Sequence, residues 1–270
     1  MDTYKSKREL IDRTDLDWLI SDRLPGLGGS FLKSQEIVDD KMIYYKMSRY
    51  NNVSGIIGHE SINEIICMNI ADQLGFNTLR CELLHCNVVV NGKLIKTFIT
   101  KFLDYRQPGD KTISFEDYYE LVREDTQKPL DVFLELDEEY VYQMLVLDYI
   151  IFNRDRHGAN IDIILRDGRY IMAPLFDHGL SFMCSCNSEY FARFDIMRSG
   201  PVNNYVGSLD VEKNLKFVPE YFIAGLQKPV DIFVGLDDVR EYMPDIFWKR
   251  IQEMFDRRFD YVKNLYHSKR

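Results

Sequence analysis

N-R-D-R-H-G-A-N, residues 153–160, and L-F-D-H-G, residues 175–179, are two polar loops with a short stretch of alternating character between them. That stretch, I-D-I-I-L-R-D-G-R-Y-I-M-A-P, has two apolar runs on either side of Asp167-Gly168, and Asp-Gly between such runs signals a tight hairpin. The hairpin would carry the second loop back beside the first. The residue types then suit phosphoryl transfer, which needs one carboxylate near the attacking hydroxyl and a second carboxylate with a carboxamide to hold Mg²⁺ against a triphosphate. Asp155 fits the first role, and Asp177 with Asn160 fits the second.

Asp155 and Asn160 stand in the D-x-x-x-x-N relation of the kinase catalytic loop, and Asp177 in D-H-G stands where D-F-G places a metal-holding Asp. Here the histidine follows the Asp, giving D-R-H rather than H-R-D. In this order the loop resembles that of the HipA-like protein kinases and, more distantly, of the phosphoinositide kinases. Two further stretches resemble the HipA-like group: A-P-L-F-D-H-G-L-S-F at 173–182 and N-E-I-I-C-M-N-I-A-D-Q-L-G at 63–75. The resemblance implies an α+β, two-lobed protein-kinase-like fold. Residues 1–103 would form a small β-rich N-lobe with one key helix, and residues 104–270 a mainly helical C-lobe. It also implies ATP and Mg²⁺ as cofactors and a minimal core without the family's extra N-terminal subdomain.

The N-lobe supplies the remaining candidates. Lys41 to Ser48 reads as a strand, and Lys46 lies in its apolar part, where a charge is costly to bury without a partner. A kinase provides such partners in phosphate oxygens and a helix glutamate. His59 to Gly75 reads as a helix with a broad apolar face. On it the family match selects Glu64 as the partner, with Glu60 one turn away on the same face. Asp155, Lys46 and Glu64 are the catalytic candidates. G-L-G-G-S-F-L-K, residues 26–33, is a glycine-rich turn whose backbone could approach phosphate. By resemblance, Gly28, Gly29, Ser30 and Lys33 would cover the phosphates, and Ser30 or Ser34 would be autophosphorylated. I-T-K-F-L-D-Y at 99–105 resembles the family's inter-lobe hinge, so the backbone of Thr100, Lys101 and Phe102 would meet adenine. His157 would brace the catalytic loop or reach phosphate, Arg156 would brace it, and Asn160 and Asp177 would bind the metal.

Further segments are assigned by pattern. Residues 5–21 are expected as one or two short helices. Asn91-Gly92 joins two β-rich runs, 83–90 and 93–103, into a hairpin. Helices are expected over 114–122, begun by Ser114, over 137–152, and over 210–217, 219–226, 230–243 and 245–266, with an irregular segment at 184–204.

Composition narrows the function classes. At 270 residues and 46% hydrophobic, the chain can bury a sizeable core. The net charge of −9 disfavours direct nucleic-acid binding, which needs many Lys and Arg contacts to phosphate. No apolar run is long enough to span a membrane, and the charged N-terminus does not read as a signal peptide. Five cysteines in irregular spacing, without a zinc pattern, fit reduced thiols and a cytoplasmic location, with a secreted effector as the other case. The expected activity is therefore serine/threonine protein kinase of HipA-like type. The resemblance adds a toxin of a toxin–antitoxin pair or an effector as its setting, with a protein substrate and a separate small subunit or antitoxin as partners. A small-molecule or phosphoinositide-type kinase, or a nucleotide-binding regulatory protein, is the alternative.

Overall fold

The computed structural model describes residues 8–20, 31–184 and 186–266. The elements of the first lobe run β1 (Leu10–Asp12), β2 (Leu19–Ile20), β3 (Leu32–Val38), β4 (Lys41–Met47), β5 (Tyr50–Asn51), β6 (Gly55–Ile56), α1 (Glu60–Gln73), β7 (Cys81–Val90) and β8 (Lys93–Leu103). The second lobe continues with β9 (Lys111–Ser114), α2 (Phe115–Val122), α3 (Pro129–Ile150), β10 (Asp155–Arg156), β11 (Asp162–Arg166), β12 (Arg169–Met172), β13 (Asn203–Asn204), α4 (Val211–Asn214), α5 (Glu220–Gly225) and α6 (Asp245–Asn264). This is the mixed, two-lobed arrangement that the motifs imply.

A six-stranded sheet in the order β1-β7-β8-β4-β3-β2 forms the first lobe. Strand alternation sorts its two faces. Ile43, Tyr45 and Met47 of β4 join Leu84, Cys86, Val88 and Ile99 in an outer cluster, covered by Leu16 and Trp18. Tyr44 and Lys46 face the other way, toward the second lobe. Residues 8–20, the described part of the segment expected as helices, are not helical. Their apolar residues follow no 3.6-residue stripe, and β1 finds its backbone partners on the open edge of β7, in parallel register from Leu10 opposite His85.

The second lobe packs α3 and α6 around one large core. Helix α3 breaks direction at Asp137 (φ −160°, ψ 92°), whose Oδ1 accepts from the Tyr140 amide at 3.0 Å and so starts a second helical segment. The sequence-expected start at 137 is that point. Ser114 caps α2 by accepting from the Asp117 amide. The β11–β12 hairpin turns through Asp167 (φ 50°) and Gly168 (φ 76°). Residues 230–243 do not form the expected helix; only a 3₁₀ turn at Asp237–Tyr242 is helical. Side chains of α1 take up the backbone groups instead. Asn69 donates to the carbonyls of Ile232 (3.2 Å) and Val234 (3.0 Å), while Gln73 accepts from the Val230 amide and donates to the Asp231 carbonyl.

Helix α1 is fastened to the second lobe at other points too. Asn63 donates to the carbonyls of Gly179 (3.1 Å) and Ser181 (2.9 Å). At its start His59 is wedged edge-on against Phe247 (4.8 Å) and Phe191 (5.8 Å). Burial pushes His59 down to about 4, with Arg154 acting in the same direction. His178 is likewise pushed down to about 3 by burial, then by Arg156.

These two imidazoles bind fewer protons folded than unfolded, so their contribution is present above the ordinary histidine pKa and is lost as pH falls toward their folded values. Between pH 6.5 and 4, each should remove about 1.4 kcal/mol of stability per pH unit. His59→Phe should make the pH dependence of chemical unfolding shallower by that amount across this window. Equal slopes for the variant and wild type would show that His59 is not buried neutral.

Candidate active site

Between the lobes lies a cleft walled by Tyr44, Phe102, Phe176 and Leu79 and lined at its charged part by Lys33, Lys46, Glu64 and Asp177. Tyr44 and Phe102, cross-strand neighbours on β4 and β8, have their rings stacked 5.6 Å apart. Aromatic and aliphatic walls of this kind suit a flat heterocycle, and the charged end suits a phosphate chain.

Lys33 and Lys46 are direct neighbours on β3 and β4, and both are buried. Like charges placed opposite each other across a strand pair repel unless an anion lies between them. Asp177 supplies that anion by an ion pair with Lys46. Burial alone would raise the Asp177 carboxyl, but Lys46 and then Lys33 outweigh it and hold it at about 2. Lys46 is raised, because Asp177 and Glu64 overcome its desolvation. Lys33 is lowered to about 8 by burial, with Asp177 opposing and Lys46 adding to the effect. Glu64 is raised, chiefly by burial. Its Oε1 accepts from the His178 amide at 2.8 Å, so it acts on Lys46 through its charge while gripping the loop that carries Asp177. Asp177 has a left-handed backbone (φ 58°), a conformation that Asp tolerates better than most residues. The next glycine, Gly179, lies so close to α1 that a Cβ there would sit 3.0 Å from the Cβ of Glu60.

The two polar loops are joined by a buried arginine. Arg156, 1% exposed, makes a two-point ion pair with Asp148 of α3 (Nε–Oδ2 3.0 Å, Nη2–Oδ1 2.9 Å). Its Nη1 donates to the carbonyls of Asn160 (3.0 Å) and Phe176 (3.1 Å), and its Nη2 lies 3.2 Å from His178 Nδ1. One guanidinium thus touches both loops. Asp148 also accepts from Asn153 Nδ2 at 2.9 Å. Asn160 donates from Nδ2 to the Asp155 carbonyl at 2.9 Å, which turns its Oδ1 to the other side. The Asp155 carboxylate is part-exposed, with His157 Nε2 3.8 Å away.

The cleft thus gathers Lys33, Lys46, Glu64, Thr100, Phe102 and Asp177, while Asp155, His157 and Asn160 sit on the loop tied to it by Arg156. Two candidates point elsewhere, because adjacent residues in a strand face opposite sides. Lys101 reaches toward Glu82 (3.5 Å), and Ser34 lies buried within β3 opposite Tyr45. Gly28, Gly29 and Ser30 lie outside the described residues. Thr100–Phe102 are not a free hinge backbone. The Asp104 amide donates to the Met42 carbonyl (3.0 Å), which fixes the parity of β8. Even-numbered residues therefore bond to β4 and odd-numbered ones to β7, and β7 ends opposite Phe102. Leu103 is the first residue of β8 to face past the end of β7. The chain then crosses at Asp104–Arg106, where Tyr105 Oη donates to Asp162 and Arg106 binds Asp104 and Tyr44.

Asp148, Asn153 and Asn203 escape the sequence reading, as do the cleft walls Tyr44, Leu79 and Phe176. Asp148 left a trace, as an acid in the most apolar helix, which needs a buried partner.

A two-lobed body with a lysine–aspartate pair at the end of an aromatic cleft is the arrangement of a protein-kinase-like fold. The model of the HipA-like C-terminal domain matches residues 41–200, and the chain belongs to this family of kinases. Among solved structures, the proinflammatory kinase CtkA of Helicobacter pylori matches with a TM-score of 0.58 at 15% identity, over 95% of this chain and 97% of that one. HipA of Shewanella oneidensis MR-1, solved with HipB and operator DNA, matches with a TM-score of 0.41 at 14% identity, over 87% of this chain and 57% of that one. No curated protein matches the chain. Among the described residues no helix is long and apolar enough to cross a membrane.

Replacing Asp148 with Asn should leave the Arg156 charge buried and uncompensated, at a cost of about 3–5 kcal/mol in chemical unfolding. The double variant Asp148→Asn/Arg156→Gln should lose markedly less than the sum of the two single variants. Additive losses would mean that the two side chains do not act as a pair.

Proposed function

We propose that the chain is an ATP- and Mg²⁺-dependent protein kinase that transfers the γ-phosphate to a seryl or threonyl hydroxyl, its own Ser30 included. The observation that carries this reading is the paired Lys33 and Lys46 facing Asp177 at the end of an aromatic cleft, with Asp155 on the loop that Arg156 ties to it. Two neighbouring buried lysines that already answer to Asp177 and to the Glu64 charge form an end of the cleft suited to phosphate oxygens.

The base of ATP would lie between Tyr44, Phe102 and Phe176, with its edge toward the backbone of Leu103 and Tyr105. Lys46 would exchange Asp177 for phosphate oxygens, held on course by the Glu64 charge. Lys33 would bind the phosphates from the neighbouring strand. Asp177 and the Asn160 Oδ1 would hold Mg²⁺, which neutralises charge building on the transferring phosphate. Asp155 would orient the attacking hydroxyl and accept its proton, since its carboxylate is reachable from solvent. His157 and Arg156 shape the loop rather than take the proton. Ser30 is favoured over Ser34 because Ser34 is buried in a paired strand, where its hydroxyl could reach no nucleotide without unzipping β3.

Incubating wild type and Asp155→Asn with labelled ATP and Mg²⁺, then mapping the labelled peptides, tests this reading. Wild type should carry phosphate on Ser30, a Ser34→Ala variant should keep it, and Asp155→Asn should lose at least two orders of magnitude in rate while still binding ATP. Transfer by Asp155→Asn at the wild-type rate would sink the assignment.

A further inference from the structure

Asp155 is held by asparagines on three of its polar atoms. Its amide donates to Asn153 Oδ1 at 3.1 Å, its carbonyl accepts from Asn160 Nδ2 at 2.9 Å, and its carboxylate Oδ1 accepts from Asn203 Nδ2 at 2.8 Å. The first two belong to the catalytic loop. The third arrives from far downstream.

Asn203 comes to Asp155 by main-chain pairing. Strand β13 lies parallel to β10, with Asp155 opposite Asn203 and Arg156 opposite Asn204. The Asn203 amide donates to the Arg154 carbonyl and the Tyr205 amide to the Arg156 carbonyl, each at 2.9 Å. Behind it, the Val202 amide is bonded to the Leu209 carbonyl (2.8 Å), and Asn204 takes the Val206 amide (3.0 Å) and the Ser208 carbonyl (3.2 Å). The backbone under Asn203 is therefore fixed, although its side chain is exposed. An exposed amide gains little stability from one hydrogen bond, so its effect falls mainly on the carboxylate that it touches.

A hydrogen bond to one oxygen restricts rotation of the carboxylate and leaves the other oxygen as the less encumbered acceptor for a hydroxyl. Here Asn203 holds Oδ1, and Oδ2 is the oxygen on the His157 side. We propose that Asn203 is a positioning residue for phosphoryl transfer: it fixes the Asp155 carboxylate so that Oδ2 alone meets the substrate hydroxyl. This inference rests on the kinase reading given above. It adds that the segment after residue 200, and not only the catalytic loop, sets the geometry of the base.

The test uses the full chain with labelled ATP and Mg²⁺, following the first-order rate of self-phosphorylation at saturating ATP together with the KM for ATP and the thermal midpoint. Asn203→Leu has similar volume and no donor, and it should lower the rate about 10- to 100-fold, the scale of a misplaced catalytic group. Asn203→Ser keeps a short donor and should recover part of that loss. Asn203→Asp sets a second carboxylate against the first and should be the slowest of the three. The KM for ATP should stay within about twofold of wild type, since the nucleotide pocket does not include Asn203. Rates that follow the thermal midpoints, or Leu and Asp variants as fast as wild type, overturn the positioning role while Asp155-dependent transfer keeps the kinase reading. Loss seen only as a higher KM for an added protein acceptor would make Asn203 a substrate contact and also overturn it. Wild type without Asp155-dependent transfer, to itself or to an added protein acceptor, overturns both.

Discussion

The buried ion pair between Asp148 and Arg156 is the contact on which the rest of this molecule depends. A guanidinium removed from water is costly unless each of its donors is met, and here Asp148 meets two of them while loop carbonyls meet others. The planar fork of arginine makes this possible; a lysine could not touch α3, Asn160 and Phe176 at fixed angles together. The pair converts the end of a long apolar helix into a mount for two loops that are separate in sequence. It adds to the hold of Glu64 and Asn63 on the Asp177 loop and of Asn153, Asn160 and Asn203 on Asp155.

The charge arrangement in the cleft follows from strand geometry. Lys33 and Lys46 face the same side because they are paired across β3 and β4, and α1 brings Glu64 up from below. Asp177 then answers two lysines at once, which is why its carboxyl stays so acidic despite burial. The same alternation keeps Ser34 and Lys101 out of the cleft. A one-residue slip of β3 would exchange Lys33 for a serine and leave Lys46 without its neighbour.

Much of this could be read from the chain because the relevant signals are local. Asn91-Gly92 and Asp167-Gly168 mark hairpins through backbone conformations that few other pairs adopt, and both turns are there. Lys46 was legible as a charge in an apolar strand, and Glu64 through its family motif. What escaped was set by distant partners. Leu10–Asp12 became strand because β7 offered a free edge, Leu19–Ile20 because β3 did, and 230–234 became loop because Asn69 and Gln73 satisfied its backbone. The free hinge backbone begins at Leu103, not Thr100, because hydrogen-bond parity depends on where β7 stops. Asn203 could not be found at all, since parallel pairing of two-residue strands leaves no pattern in sequence.

The side chains of α1 have a mechanical consequence. Toward the second lobe the helix is held by directional bonds spread along its length, from Asn63 and Glu64 to Asn69 and Gln73. Toward the sheet, its directional contacts gather near its start, where Ser61 meets Ser48 and Glu60 accepts from the Arg49 amide; farther along there is the Met68 sulfur beside the Cys81 amide. The Asp72–Arg80 ion pair and the charge of Glu64 near Lys46 add to this, and the rest of the contact with the sheet is apolar and non-directional. Helix α1 therefore joins the two lobes in different ways, by side-chain hydrogen bonds to the second lobe and mainly by packing on the sheet. Glu64 and Asp177 are thus tied to one another through the loop of the second lobe, and the two lysines are tied to one another through the sheet.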